Sequence, residues 1–458
     1  MNIVAKGFTF DHSDEHVDDF IRRMKNNPCD SFEITIFSDS LITGVGTYDL
    51  TGRISFNSDR SRKFVKRMIP LFKESDKVRS LKIILTRNFH DNGAIFEVLK
   101  NTENNSIVKI QFSIILYEYT RNLTNIGLKI FSGFKNLRII EILLGSDKNL
   151  PMYEYLINCI PNNSRYTLTF ILTNYTIFNK DDIHLKLVKL AGTRKIKLGI
   201  IDNSYSDARK LLHWLSSLNQ NCLQKIVKLH IRAEMYQILN DYLLNVLKME
   251  NLESLSCILF GDRGNASDVA FIKRYLRNET GGFTNLHHLK KLKQVRWYHP
   301  YPPRSDIVFT QYLNNSSFGF YAFIQTLPST VESLYVNGVK VMDSIFTEKI
   351  NFYLPNLVYL HLSQIQYLGR MCLYELKNLK YLIFHDCHVS EIPDSVKALG
   401  VFRCKNEGCT NLYNEWIRYI DHIHKFRKIH EYLEHPSGRI FFNDIKDACI
   451  ISTAFHSL

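Results

Sequence analysis

The sequence predicts an α/β fold built as a solenoid, a curved horseshoe with short parallel strands on its concave face and helices on its convex face. Three observations carry this expectation. An apolar spacing recurs thirteen times along the chain, amphipathic helical stripes lie between recurrences, and the composition is apolar enough to bury a long core. Of 458 residues, 45% are hydrophobic and 12% aromatic, which excludes a disordered, collagen-like or small disulfide-stapled protein. Length alone would give about three domains at about 150 residues each, but repeat proteins grow along one axis and escape that arithmetic.

The strand signal reads apolar, two residues, apolar, one residue, apolar, two residues, then Asn, Cys or a small apolar residue. Its clearest copy is Leu379, Leu382, Phe384 and Cys387, followed by Val396, Leu399, Val401 and Cys404. Upstream stand Leu357/Leu360/Leu362/Ile365, Val331/Leu334/Val336/Val339, Leu292/Val295/Trp297, Leu252/Leu255/Cys257 and Ile226/Leu229/Ile231. More degenerate copies follow at Thr193/Ile196/Leu198, Arg165/Leu168/Phe170, Leu137/Ile140/Ile142, Ile107/Ile110/Phe112, Val78/Leu81/Ile83 and Cys29/Phe32/Ile34. Most neighbouring copies are 26–33 residues apart, and gaps of 39, 40 and 49 mark insertions or an unrecognised copy. From Cys29 to Cys404 the pattern resembles leucine-rich repeat proteins, with their L-x-x-L-x-L-x-x-N/C-x-L signature at a period of about 20–29 residues.

The helices come from the connecting segments. Ser206-Asp207 caps a stripe of Ala208, Leu211, Leu212, Leu215 and Leu218, and the next unit repeats it with Ile238, Leu239, Tyr242, Leu243 and Val246. Such units cannot bury their apolar side alone, so the ends need caps. The expected organisation is therefore residues 1–77 as an N-terminal cap with a degenerate first repeat, 78–405 as the solenoid, and 406–458 as a C-terminal capping helix and tail. Leu412, Trp416, Ile420, Ile423 and Phe426 form the stripe of that capping helix.

Several chemistries are missing. No Walker A loop, G-x-G-x-x-G, G-x-S-x-G or H-E-x-x-H motif occurs, so no catalytic residues, cofactor or metal are expected and the protein reads as a non-enzyme. His430 and His435 are five apart, which puts them off one helical face. Cys387 and Cys404 occupy the template's Asn/Cys position, so a structural role outweighs a zinc site with Cys409, His385 and His388. Nine scattered cysteines, no secretory h-region and no apolar run of bilayer length point to reduced thiols, unused Asn-x-Ser/Thr sequons, no membrane, and a cytoplasmic or nuclear location. The basic run Arg60, Arg62, Lys63, Lys66 and Arg67 is interleaved with Phe64, Val65, Met68, Ile69 and Phe72 at helical spacing, which makes it the solvated face of a helix.

A formal charge of +13 is informative once it is placed on the template. Residues alternating with the apolar positions face the concave side. They are Lys195 and Lys197, then Lys228, His230 and Arg232, then Arg296, Tyr298 and His299. Tyr335, Tyr359, His361, Tyr381, His385 and Arg403 continue the series, so a basic stripe grades into a Tyr/His-rich third. Tyr and Arg are enriched where interfaces derive their energy, and clustered cations attract acidic segments. The expected function is a non-catalytic scaffold binding an acidic protein partner along the concave face. Similarity to the repeat portion of F-box/leucine-rich-repeat proteins implies an alternative, a ubiquitin-ligase substrate-recognition subunit with its adaptor as partner. Its Leu-Pro-containing F-box is not recognisable before Phe32. A further alternative is nucleic-acid or nucleoprotein binding through the basic strands.

Overall fold

A computed structural model describes residues 3–4, 32–37, 78–85, 96, 99–114, 129–146, 149–173, 183–203, 209–260, 270–271, 282–299, 317–365, 367–387, 392–402, 417–418 and 440–442. The chain divides into two units, Met1–Ser206 and Asp207–Leu458. Each is an α/β arrangement around a parallel sheet.

In the first unit the described strands are β1 (Ile3–Val4), β2 (Phe32–Phe37), β3 (Val78–Leu85), β4 (Lys109–Ile114), β5 (Ile139–Leu144), β6 (Thr167–Leu172) and β7 (Lys197–Asp202). They pair in chain order and always parallel. Parallel neighbours need a crossover that leaves the sheet and returns beside its start. Helices Leu150–Cys159 and Ile183–Gly192 fill two of these crossovers.

The second unit holds β8 (Ile226–Ala233), β9 (Ser254–Leu259), β10 (Gln294–Tyr298), β11 (Ser333–Asn337), β12 (Val341–Met342), β13 (Tyr359–Ser363), β14 (Tyr367–Leu368), β15 (Tyr381–His385), β16 (Ala398–Phe402), β17 (Ile417–Arg418) and β18 (Ile440–Phe442). Its main sheet runs β8-β9-β10-β11-β13-β15-β16-β18-β17, while β12 and β14 pair separately. Every pairing is again parallel.

The apolar template becomes the buried side of each strand. Leu229, Ile231, Leu255, Cys257, Leu334, Val336, Leu360 and Leu362 have no solvent exposure. The predicted helical stripe packs over those of β8 and β9: helix Tyr236–Val246 buries Ile238, Leu239, Tyr242, Leu243 and Val246. Trp297, pointing inward from β10, stacks on Tyr236 at 6.3 Å and lies 4.9 Å from Phe323. Burying one such large apolar side chain contributes about 1.5–3 kcal/mol. That core fixes which face of the sheet is covered by helices.

Successive repeats are locked by a recurrent backbone device. One carbonyl just before or at each strand start accepts two N–H groups from the next repeat: Glu253 from Lys293 and Gln294, Lys293 from Glu332 and Ser333, Glu332 from Val358 and Tyr359, and Val358 from Lys380 and Tyr381. Asparagines add a side-chain bridge. The Nδ2 groups of Asn136, Asn251, Asn356 and Asn378 donate to carbonyls of Asn105, Gln224, Ser329 and Pro355 in the preceding repeat. Each Asn directly precedes a template leucine, a regularity that apolar spacing alone does not reveal.

Just past β11, β13 and β15 the chain turns through left-handed residues, Gly338, Gln364 and Asp386, with φ of 76°, 54° and 50°. Their N–H groups donate to Ser363, His385 and Phe402 of the following repeat. Cys387 then closes the turn, its sulfur accepting from the Ile365 N–H at 3.4 Å and donating to the Leu362 carbonyl at 3.4 Å. This is the structural role expected of the template cysteine.

Two sequence expectations need correction. At the copy assigned to Thr193/Ile196/Leu198, Leu198 and Ile200 pair with Leu168 and Phe170, so the template slips by two residues and the intervals to its neighbours become 30 and 31 instead of 28 and 33. At the C-terminus, Ile417–Arg418 is a strand beside β18 where the stripe predicted continuous helix. There β18 occupies backbone groups that an uncovered β16 edge would expose, and β17 pairs with the outer edge of β18. The stripe residues themselves, the basic run at 60–72, the Ser206-Asp207 cap, His388, Cys404, Cys409, His430 and His435 lie outside the described residues. Among the described residues no helix is long and apolar enough to cross a membrane.

A Cβ on Gly338 would stand 1.8 Å from the His299 carbonyl oxygen, in a backbone conformation that L residues rarely adopt. Gly338→Ala should therefore cost at least about 1–3 kcal/mol. Gln364→Gly should stay within about 1 kcal/mol of wild type, because relief of left-handed strain offsets the entropy of a new glycine. Thermal unfolding of the two variants separates these outcomes; equal losses would contradict the turn geometry.

Candidate functional site

Strict parallel register turns alternation into a grid. With Trp297 directed into the helix-covered core, Arg296 and Tyr298 point to the opposite face, and their register partners form three rows. The first row is Lys228, Ser254, Gln294, Ser333, Tyr359 and Tyr381. The middle row is His230, Ser256, Arg296, Tyr335, His361 and Ile383. The last is Arg232, Ile258, Tyr298, Asn337, Ser363 and His385. On β16 the rows end in Ala398, Gly400 and Phe402. None of these positions holds Asp or Glu.

Exposure falls along the rows. Lys228 and Arg296 are exposed, and His230, Ser256, Tyr298, Tyr335 and His361 are half-buried. Tyr359 and Tyr381 retain only 6% and 4% of their surface, and Ile383, Ala398 and Phe402 are buried. The accessible part of the grid is therefore β8 to β11, with its edge at β13.

Electrostatics follow from that burial. The His230 imidazole is pushed down to about 4, first by burial and then by the charges of Arg296, Arg232 and Lys228. His361 is pushed down to about 3 by burial, His385 and Arg296. Both are neutral at pH 7, so the positive charge of the rows resides on Lys228, Arg232 and Arg296. Arg232 is the least available of these, being buried with its guanidinium 4.6 Å over the Phe260 ring. Burial raises the Tyr335 phenol, which is hydrogen-bonded to Ser363 and Asn337. Its ring meets His361 edge-on at 4.6 Å.

At one end of the last row the Asn337 amide donates to Ser363 Oγ at 2.9 Å, and Ser363 Oγ lies 3.5 Å from His385 Nδ1. Asp386 is 3.8 Å from His385 Nε2. The residue types are those of a hydrolytic triad, but Ser363 keeps only 2% of its surface and is already engaged by Asn337 and Tyr335. A nucleophile must reach an incoming carbonyl, so this chain serves to hold Asn337, Tyr335 and His385 in position.

The first unit contrasts with this. By register its open rows contain two carboxylates, Glu33 and Glu141, and Glu141 is buried and receives Lys109 Nζ at 3.0 Å and Gln111 Nε2 at 2.9 Å. A further row on that face, Ile84, Ser113, Leu143, Ile171 and Ile201, is mostly apolar. Lys197 begins β7 half-exposed on this sheet.

Of the residues nominated from sequence, Lys228, His230, Arg232, Arg296, Tyr298, Tyr335, His361 and His385 stand on one face of the second unit. Tyr359 and Tyr381 hold the right register but are buried. Lys195 is corrected by the two-residue slip: it lies in the bend before β7 and off the strand. His299 is corrected by alternation. One residue past Tyr298, it turns inward, 7% exposed and 6.4 Å from Tyr236, where burial pushes its imidazole down to about 4. Arg403 lies outside the described residues. Sequence reasoning missed Ser363, which falls at template spacing and was readable as a polar strand end; Asn337 follows Tyr335 by two residues on the expected face.

A family model with the description "Domain of unknown function (DUF8346)" matches residues 9–433. No curated protein matches the chain.

Because His230, His299 and His361 resist protonation in the fold but titrate near 6.5 when unfolded, the unfolded chain binds more protons between those values. Their contribution is fully present above about pH 6.5 and is lost as pH falls toward about 3 to 4, on the order of 3 kcal/mol for each group. A melting-temperature profile over that window should slope downward on acidification, and less steeply in His361→Asn. An identical slope in that variant would remove His361 from the account.

Proposed function

The chain belongs to the DUF8346 family, whose description assigns no activity, and from that premise we propose that it is a non-catalytic interaction scaffold of leucine-rich-repeat type. Its ligand is an extended acidic protein segment, received on the open rows of the second unit. One observation carries this reading: the three rows from β8 to β16 contain Lys228, Arg232 and Arg296 and no carboxylate. In the first unit, by comparison, the Glu141 carboxylate is matched by Lys109 within the same face. Cations standing in rows that hold no carboxylate favour an anionic partner through both encounter rate and specificity.

Aromatic content favours a polypeptide over nucleic acid. Tyr298 and Tyr335 flank Arg296 in the accessible part of the grid, and Tyr with Arg is the composition of protein hot spots. Nucleic acid would call for cations tracking a phosphate backbone. Among the accessible row positions only Lys228 and Arg296 are exposed cations.

Lys228 and Arg296 are surface side chains, so reversing both should leave the fold intact and abolish capture of acidic partners. Affinity purification with wild type and the Lys228→Glu/Arg296→Glu variant, followed by titration of recovered segments against salt, tests this. The expected result is a partner carrying an acidic segment, lost with the reversal and only moderately salt-sensitive. A steep salt dependence of roughly six or more phosphate contacts, with recovered nucleic acid, would assign the face to nucleic-acid binding instead.

A further inference from the structure

The middle row has a chemistry narrower than general positive charge. From β8 to β13 it reads His230, Ser256, Arg296, Tyr335 and His361, with Arg296 as its cation. Adjacent strands lie about 4.8 Å apart, so each histidine stands two strands, about 10 Å, from Arg296. The Nε2 atoms of both histidines are shielded from solvent and have no hydrogen-bond partner. Ser256 and Tyr335 are the register neighbours of Arg296 on the two adjacent strands, and Tyr298 follows Arg296 by two residues on the same strand.

We propose that Arg296, between Ser256 and Tyr335 and flanked by His230 and His361, is the seat for one carboxylate side chain of the acidic segment. This rests on the reading that an acidic segment binds this face. The guanidinium presents a planar fork matched to a carboxylate, which a lysine ammonium does not. The charge balance selects the ligand. Neutral imidazoles leave a single positive charge in the row, which balances one carboxylate. A dianionic phosphate would stay half-compensated, since Lys228 lies in another row and Arg232 is held over Phe260.

The test uses the full chain and a fluorescein-labelled oligo-glutamate peptide, read by anisotropy. Arg296→Ala should weaken binding by about ten- to a hundredfold, and Lys228→Ala by only about two- to fivefold. Arg296→Lys should recover little of the loss. In histidine-labelled wild-type protein, the ring resonances of His230 and His361 should shift on peptide addition, and the shift should vanish in Arg296→Ala. Unchanged melting of Arg296→Ala verifies that the fold survives. Peptide binding with equal losses at Lys228 and Arg296, or with Arg296→Lys like wild type, overturns the seat while leaving the acidic-segment reading standing. Absence of peptide binding by wild type overturns both. A matched phosphoserine peptide that binds more tightly through Arg296 overturns the carboxylate assignment.

Discussion

From β9 to β15 of the main sheet in the second unit, each strand depends on the following repeat for half of its ladder hydrogen bonds, and the pairing is made in unbroken parallel register. Strand-start carbonyls such as Glu253, Lys293, Glu332 and Val358 each take two N–H groups from the next repeat. At the other strand end, left-handed residues Gly338, Gln364 and Asp386 hand their N–H groups forward as well. A buried backbone group without a partner costs as much as a lost hydrogen bond, so a repeat displaced by one residue would strand polar groups at both ends. It would also turn its apolar residues to the wrong face. Register is thereby fixed twice, by the backbone and by the core.

Everything on the open face inherits that register. Arg296 is brought beside Ser256 and Tyr335 because Val295 and Trp297 on either side of it must enter the core with Leu255, Cys257, Leu334 and Val336. Its chemistry is thus a by-product of positions chosen for packing, and only the identity of the alternating residue is free to vary. Burial then edits what those identities mean. His230 and His361 are nominally basic residues, but loss of hydration and the nearby guanidiniums keep them neutral, so the row carries less charge than its composition implies.

The strand positions were largely legible because an apolar residue every second position, bounded by a fixed turn, is a strong and repeated signal. Helix Tyr236–Val246 was equally legible, since its buried residues follow one 3.6-residue stripe. The slip at Leu198 was not. Ile196 and Leu198 share a face with Ile200, so spacing by twos fits two alignments equally, and only pairing with Leu168 and Phe170 decides between them. His299 was misread because strand alternation continues past the last ladder residue, turning the position after Tyr298 inward. The burial of Tyr359 and Tyr381 depends on the whole chain around β13 and β15, which no periodicity within one repeat encodes.

A basic composition is a poor guide to where an anion will bind. In the first unit, Lys109 lies at an open row position but meets Glu141, so that cation is spent inside the sheet. In the second unit Lys293, at a strand border, lies 2.6 Å from Glu332 and is likewise compensated. Arg296 differs in that its register neighbours, Ser256 and Tyr335, carry no negative charge. A guanidinium so placed retains its hydrogen-bonding fork for an external acceptor, and the rigid strand beneath it has already met the ordering cost that a loop arginine would incur on binding. The cations that stand in rows holding no carboxylate, Lys228 and Arg296 on the accessible strands, and not the net charge of +13, are therefore what gives the site its preference for acidic ligands.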